Sequence, residues 1–370
     1  MVRRLWRNFD LLLLLMTIAV AVIGVALIYS ASISVEMGDP LLDRSFFRQA
    51  LFFASGLLIL LLAAAIDYHF LAHAHWLIYA ITLGMLGLVV VIGKVGFGAQ
   101  SWLSLRRAIQ PSELAKVLLI VVLARYLADH EEQKGRLDWL FLSALLAGPV
   151  VFLVYSQPDL GTAAVLVAIW LGMVFAAGAP LLHFALLGAA LGAIGPTVWF
   201  SLEDYMKQRV LVFLNPASDV SGVVSYNTQQ ARISIGSGGW FGKGFLHGTQ
   251  SQLYFLRVRH TDYVFSVLCE EFGFVGSLIL LLLLFILLWR ILRAARLAQD
   301  TFGRLIACGV ATMIFFQAFV NIAVNVGLLP VTGLTLPLVS YGGSSLWATL
   351  LGIGLVESVI MRHKKLEFGD

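Results

Sequence analysis

The chain has 370 residues, of which 60% are apolar and only 12% charged, and its formal net charge is +4. A soluble domain carries about 25% charged residues, and a soluble fold of this length has no core large enough to hide so much apolar surface. The composition excludes a disordered chain, a nucleic-acid-binding domain and an ordinary cytosolic enzyme, and leaves a polytopic membrane protein.

A helix needs about 20 mostly apolar residues to cross the hydrocarbon core. In chain order the runs that meet or approach this are Leu11 to Ile28, Phe46 to Ile66, Trp76 to Ile92, Glu113 to Leu127 and Trp139 to Tyr155. Leu160 to Ala177, Leu181 to Phe200, Tyr263 to Leu292, Leu305 to Leu328 and Ser345 to Met361 complete them. The runs are continuous rather than alternating, which excludes an outer-membrane barrel. The predicted fold is an all-α polytopic membrane protein, one domain over 1–370 with ten transmembrane helices. The first run has a basic start and a small-residue end at Ser30-Ala31-Ser32, but its apolar core exceeds a signal-peptide h-region. It reads as a retained signal anchor.

Orientation follows from Lys and Arg in the short loops. With the N-terminus in the cytoplasm, Arg3, Arg4, Arg7, Arg125, Lys134, Arg136, Arg290, Arg293, Arg296, Arg304, Arg362, Lys364 and Lys365 all lie inside. The short outer loops then hold only Arg44, Arg48, Lys94, Arg106 and Arg107. Both termini are predicted to be cytoplasmic. The segment 201–262, between the seventh and eighth spans, is then a large outer loop. Its aromatic residues, among them Tyr226, Trp240 and Phe255, argue against disorder, and Tyr205 to Leu214 and Asn227 to Ile235 read as short interfacial helices.

Ionisable residues at membrane depth are functional candidates by default. Arg48, Glu113, Lys116, Asp159 and Asp262 start predicted spans near the outer face, with Glu270 and Glu271 two turns beyond Asp262. A capping role competes at Glu113, Asp159 and Asp262, because acids at helix N-termini satisfy free N–H groups and complement the dipole. Glu113 and Lys116 are three residues apart and also suit mutual neutralisation. Glu270 follows Asp262 by eight residues, on the same face, which capping does not explain. Cys269 and Cys308 have no neighbours at metal-ligand spacing and read as small buried hydrophobes.

The glycine-rich run Gly236 to Gly244 fails as a phosphate loop, since Ser237 stands where a Walker A needs Gly and Gly244 where it needs Ser or Thr. Two readings remain: backbone N–H groups with Lys243 meeting a diphosphate, or a set of tight turns. The apolar but Pro- and Gly-broken run Leu328 to Ser345 suits a cavity-lining loop. Asn321 and Asn325 precede it on one helix face, and hydrogen bonding between helices explains them equally well. Gly188 and Gly192 are a helix-packing pair. Composition and spacing do not decide between an enzyme and a transporter.

Several motifs resemble those of the SEDS family. They are Gln110-Pro111-Ser112-Glu113-Leu114-Ala115-Lys116, Gln157-Pro158-Asp159-Leu160-Gly161-Thr162-Ala163 and the run from Tyr226-Asn227 through Gly248-Thr249-Gln250. Arg259-His260-Thr261-Asp262-Tyr263-Val264-Phe265 and the Pro330 to Ser345 loop follow the same pattern. The resemblance covers nearly the whole chain, in order. Short termini and Pro330-Val331-Thr332-Gly333 resemble the elongation branch more than the division branch. Arg257 stands where the family usually has proline, which removes a fixed φ and adds a cation before Asp262.

The resemblance implies a peptidoglycan glycosyltransferase that polymerises lipid II at the outer face of the bacterial plasma membrane. It implies Asp262 as the catalytic base, with Arg48, Glu113, Lys116 and Asp159 supporting activity. It also implies a class B penicillin-binding protein as partner, and lipid II and undecaprenyl-diphosphate-linked glycan as ligands. Arg48, Lys116, Arg209 and Lys243 are candidate phosphate partners, Glu270 a further supporting acid. No cofactor is required by the residues, and a divalent cation is an alternative phosphate partner. An inverting displacement needs one base, not the paired acids of many glycosidases. A lipid II flippase, a division-specific polymerase and a non-catalytic scaffold are the competing expectations.

Overall fold

The computed structural model describes residues 6–363 apart from 37, 39, 93, 97–98, 103–109, 203, 216–222, 254 and 257–258. Arg257, Arg106 and Arg107, and the terminal Arg3, Arg4, Lys364 and Lys365, lie outside the described residues. In hydrocarbon every backbone N–H and C=O needs a partner within its own segment, so apolar runs of this length fold as helices. All ten predicted runs are helical. They are α1 (Leu11–Glu36), α2 (Ser45–Ala65), α4 (His75–Ile92), α5 (Pro111–Asp129) and α6 (Leu137–Tyr155), then α7 (Leu160–Ala176), α8 (Leu181–Ser201), α12 (Val264–Leu297), α13 (Thr301–Val326) and α14 (Gly343–Met361). Short helices α3 (Tyr68–His73), α9 (Asp204–Leu214), α10 (Val223–Ser237) and α11 (Thr249–Gln252) join them, with α9 and α10 where interfacial helices are predicted.

Among the described residues six helices, α1, α2, α6, α12, α13 and α14, are long and apolar enough to cross a membrane. Apolar stretches of α4, α7 and α8 are shorter. Helix α5 carries Glu113, Lys116, Arg125 and Asp129, yet most of it is buried, packed against α4, α13, α14 and α7. One addition to the predicted all-helical plan is an antiparallel hairpin of β1 (Lys94–Gly96) and β2 (Ala99–Trp102).

Helices α13 and α14 form the middle of the bundle. Helix α14 packs along α2, α13 and α5, and Gly354 makes the close approach to α2 possible, since a Cβ there would stand 2.5 Å from the Leu60 carbonyl oxygen. Helix α13 ends at Gly327, whose φ of 79° makes the left-handed C-cap. The irregular segment 328–342 then passes through the protein with Leu334, Leu336, Leu338, Val339 and Ser340 buried. Irregular backbone near lipid needs protein around it, and the burial of these residues supplies that. Side chains satisfy its backbone: Gln49 Nε2 donates to the Ser340 C=O (3.2 Å) and Gly342 N–H donates to Gln49 Oε1 (3.2 Å).

Helix α12 is broken at Gly273 (φ 65°, ψ −160°), a conformation open to glycine and strained for other residues. The break frees N–H and C=O groups, and the glycine-rich run takes them. Phe274 and Val275 N–H groups donate to Gly239 and Trp240 carbonyls (2.9 and 3.1 Å). Lys243 and Gly244 N–H groups donate to Glu270 and Glu271 carbonyls (2.9 Å each). A Cβ on Gly238 would overlap the Cys269 carbonyl, and one on Gly242 the Glu271 carbonyl. The glycines are therefore a docking surface for a broken helix.

Candidate active site

Asp262 lies in the turn that leads into α12. Its main-chain oxygen accepts from Asn321 Nδ2 (3.1 Å) and Asn325 Nδ2 (2.9 Å), both on α13. Loop 328–342 holds the same turn from the other side. Ser340 Oγ donates to the Thr261 C=O (2.6 Å) and Tyr341 N–H to the His260 C=O (2.9 Å). Burial pushes the Asp262 carboxyl up to about 6, against the pull of the Arg209 charge and of a hydrogen bond from the Thr261 side chain. The side chain still reaches the surface in part. Arg209, on α9, is anchored by a bond from its Nη1 to the Val331 C=O (3.2 Å).

A second cluster gathers at the start of α5 and α7. Pro111 opens α5, a position where its missing N–H costs nothing. Lys116 Nζ bonds Glu113 Oε2 at 2.7 Å, with both side chains buried. Asp159 caps α7 by accepting from Thr162 N–H (3.0 Å), and its other oxygen accepts from Gln110 Nε2 (3.1 Å). Burial raises the Asp159 carboxyl, the Thr162 hydrogen bonds lower it, and the opposite charges of Glu113 and Lys116 act in opposite senses. Capping and mutual neutralisation, the plainer readings of these residues, are thus present in the geometry.

Loop 328–342 joins the two clusters. Arg209 grips Val331, and the next residue, Thr332, lies against α7, where a Cβ on Gly161 would stand 2.7 Å from the Thr332 carbonyl oxygen. Just beyond the far end of the loop, the first turn of α14 meets the N-cap of α5, where Gln110 N–H donates to Ser344 Oγ (2.8 Å). The charge of Arg48 acts on the loop at Tyr341. Burial raises the Tyr341 phenol, Arg48 pulls it down and Glu36 pushes it up. The Tyr341 ring stands edge-on to His260 at 5.7 Å.

Lys243 and Glu270 belong to another group. Glu270 Oε1 accepts from Lys243 Nζ (2.8 Å), Thr249 Oγ1 (3.1 Å) and Gln250 N–H (3.0 Å). Glu271 accepts from Ser30 Oγ on α1. The expected common face of Asp262 and Glu270 ends in different partners, because the glycine-rich run reaches Glu270 first. The Gly242 N–H closes a turn on the Gly238 C=O, and the Lys243 and Gly244 N–H groups bond the Glu270 and Glu271 carbonyls of α12, so the run is part turn and part docking surface. Among the described residues no three of His, Cys, Asp or Glu converge as metal ligands.

Sequence reasoning missed Gln49, whose signal was a polar residue beside Arg48 in an apolar run. It also missed a buried ionic knot at the far end of α12. Glu357 on α14 accepts from Asp10 N–H (3.0 Å), and Arg290 Nε donates to Asp10 Oδ2 (2.9 Å). The signal was a lone Glu at membrane depth. An apolar groove of about 490 Å³ opens between α1 and α2, lined by Val22, Val25, Tyr29, Phe46, Phe53 and Phe245 among others.

Comparison with known proteins agrees along the whole chain. The family model described as cell cycle protein, FtsW/RodA/SpoVE, matches residues 10–365. Peptidoglycan glycosyltransferase MrdB of Escherichia coli K12 is 40% identical over 366 residues, covering 97% of this chain and 95% of the relative. Among solved structures, a chain from a peptidoglycan synthase complex that coordinates polymerization and crosslinking superposes with a TM-score of 0.80. It is 35% identical and covers 96% of this chain and 98% of the other. The rod shape determining protein RodA of Thermus thermophilus gives a TM-score of 0.70 at 35% identity, covering 95% and 96%.

Proposed function

From the premise that this chain belongs to the FtsW/RodA/SpoVE family, we propose that it is a peptidoglycan glycosyltransferase that polymerises lipid II at the outer face of the bacterial plasma membrane. The observation that carries this reading is the Asp262 carboxyl, pushed up to about 6 beside Arg209 and gripped by α13 and loop 328–342. A general base works best with a pKa near the working pH. Asp262 takes the proton from the attacking sugar hydroxyl. The new glycosidic bond forms as the bond from the donor sugar to its lipid diphosphate breaks, with the diphosphate as leaving group. An α-linked donor gives a β-linked product, so one displacement suffices. Cations stabilise the departing diphosphate. Arg209 is the nearest in this geometry, with Arg48 and Lys116 on the same loop-joined region and Lys243 further off, tied to Glu270. A divalent cation is the alternative counter-charge.

The wider reading follows the same lines. Ten helices cross the membrane, the six long ones with α4, α5, α7 and α8, and both termini are cytoplasmic. The apolar groove between α1 and α2 suits an isoprenoid chain. The role is cell elongation, and a class B penicillin-binding protein is the partner that cross-links the product. The test is polymerisation of labelled lipid II by the purified protein, with and without that partner. Long glycan is expected. No glycan, even with partner and divalent cation, would favour a lipid II flippase instead.

A further inference from the structure

We infer that Asn325, with Asn321 one turn before it, is the positioning residue for Asp262, holding the carboxylate's main chain from the neighbouring helix. The inference rests on Asp262 being the base. Helix α12 has Tyr263 at its N-cap, and that side chain makes no capping bond. A helix start leaves N–H groups without partners. Ser266 N–H donates to the Tyr263 C=O (3.0 Å) and is shared with α13, where Asn325 Oδ1 accepts from Ser266 N–H (3.1 Å) and from Ser266 Oγ (2.7 Å). The other half of the same amide donates to the Asp262 C=O. One planar group thus accepts from the first turn of α12 and donates to the residue just outside it. Only an amide side chain offers both functions in that geometry.

Asn321 adds a second donor to the same oxygen and also donates to the Leu334 C=O (2.7 Å). Asn325 Nδ2 in turn reaches the Asn321 C=O (2.9 Å) and Oδ1 (3.3 Å). One bond would satisfy the Asp262 carbonyl. Two donors, from side chains 2% and 0% exposed, fix its direction as well, and with it the direction in which the Asp262 Cα–Cβ bond leaves the main chain. Through Leu334 the same pair ties that turn to the loop that holds Arg209. Glue between α12 and α13 is the competing role, and it predicts loss of stability alone.

Asn325→Leu and Asn321→Leu remove the amides while keeping the number and branching of side-chain heavy atoms. Each is purified, its melting temperature measured, and lipid II polymerisation followed from pH 5 to 8 below that temperature, beside Asp262→Asn. Asn321→Leu leaves the Ser266 cap in place and covers the case in which Asn325→Leu does not fold. The expected result is a fall in kcat of about 10- to 100-fold, the range for a misplaced reacting group. KM should stay within about two-fold, since substrate contacts are untouched. The acid limb should move to lower pH as the loosened carboxyl gains water. Folded variants with wild-type kcat and pH profile, beside an inactive Asp262→Asn, would overturn the inference. An active Asp262→Asn would remove the base, and the need to position it.

Discussion

Lys243 Nζ lies 2.8 Å from Glu270 Oε1, across a span of chain that leaves the membrane domain as a glycine-rich turn and returns as a helix. Glu270 is 0% exposed, and among the described residues its other oxygen has no hydrogen-bond partner. Removing the cation alone leaves a buried charge uncompensated. Lys243→Met should destabilise the protein by about 1–3 kcal/mol, below the full cost of breaking a buried pair because the lysine is partly exposed. Lys243→Met with Glu270→Gln should recover part of that loss. Thermal unfolding of the two variants in detergent checks it, and equal melting temperatures for both would contradict it.

Gly242 is the most demanding of the docking glycines. It has φ 78°, and a Cβ there would overlap the Glu271 carbonyl. Gly242→Val should cost about 3 kcal/mol or more, from strain and displaced backbone together. Gly236→Val, where nothing lies within 4 Å of the added carbon, should cost less than about 1 kcal/mol. Melting temperatures of the pair measure the difference directly.

Gln49 closes both ends of a buried exchange with Ser340 and Gly342. Gln49→Ala leaves a carbonyl and an N–H of loop 328–342 without partners, at about 1–3 kcal/mol. The loop also holds the His260–Asp262 turn, so polymerisation should fall by more than the folded fraction does. Activity per folded molecule is the quantity to read.

The Asp262 carboxyl titrates at about 6, above its usual value of 3.8. Its contribution to stability is therefore full below about pH 4 and is lost as pH rises through about 6, because folding favours the neutral acid. Asp262→Asn removes the burial cost of the charge. The variant should melt higher than wild type at pH 7.5, with a gap that narrows toward pH 4.5. A constant gap would show that the charge is not the cause.

Most of the helices were legible in the sequence because the bilayer demands long unbroken apolar runs. The acids at helix starts were legible too: Asp262 and Asp159 stand where predicted, each next to the loop read from its Pro and Gly breaks. The pairing of Lys243 with Glu270 was not, because it depends on the break at Gly273, and one glycine in an apolar run carries no such signal. Glu270 and Asp262 share helical spacing, yet spacing cannot show that a loop 27 residues upstream claims one of them. The Asp10–Arg290–Glu357 knot joins three distant elements and has no local pattern. Asn321 and Asn325 were visible as a polar pair on one face, but their target, a backbone oxygen, leaves no mark on composition.

The central claim is that Asp262 is the base of a lipid II polymerase. The direct measurement is glycan formation from labelled lipid II by wild type and by Asp262→Asn, each purified with its class B partner, from pH 5 to 8. The account predicts long glycan from wild type, with a rate that rises through about pH 6, and none from a folded Asp262→Asn. Near-normal glycan from Asp262→Asn would contradict it.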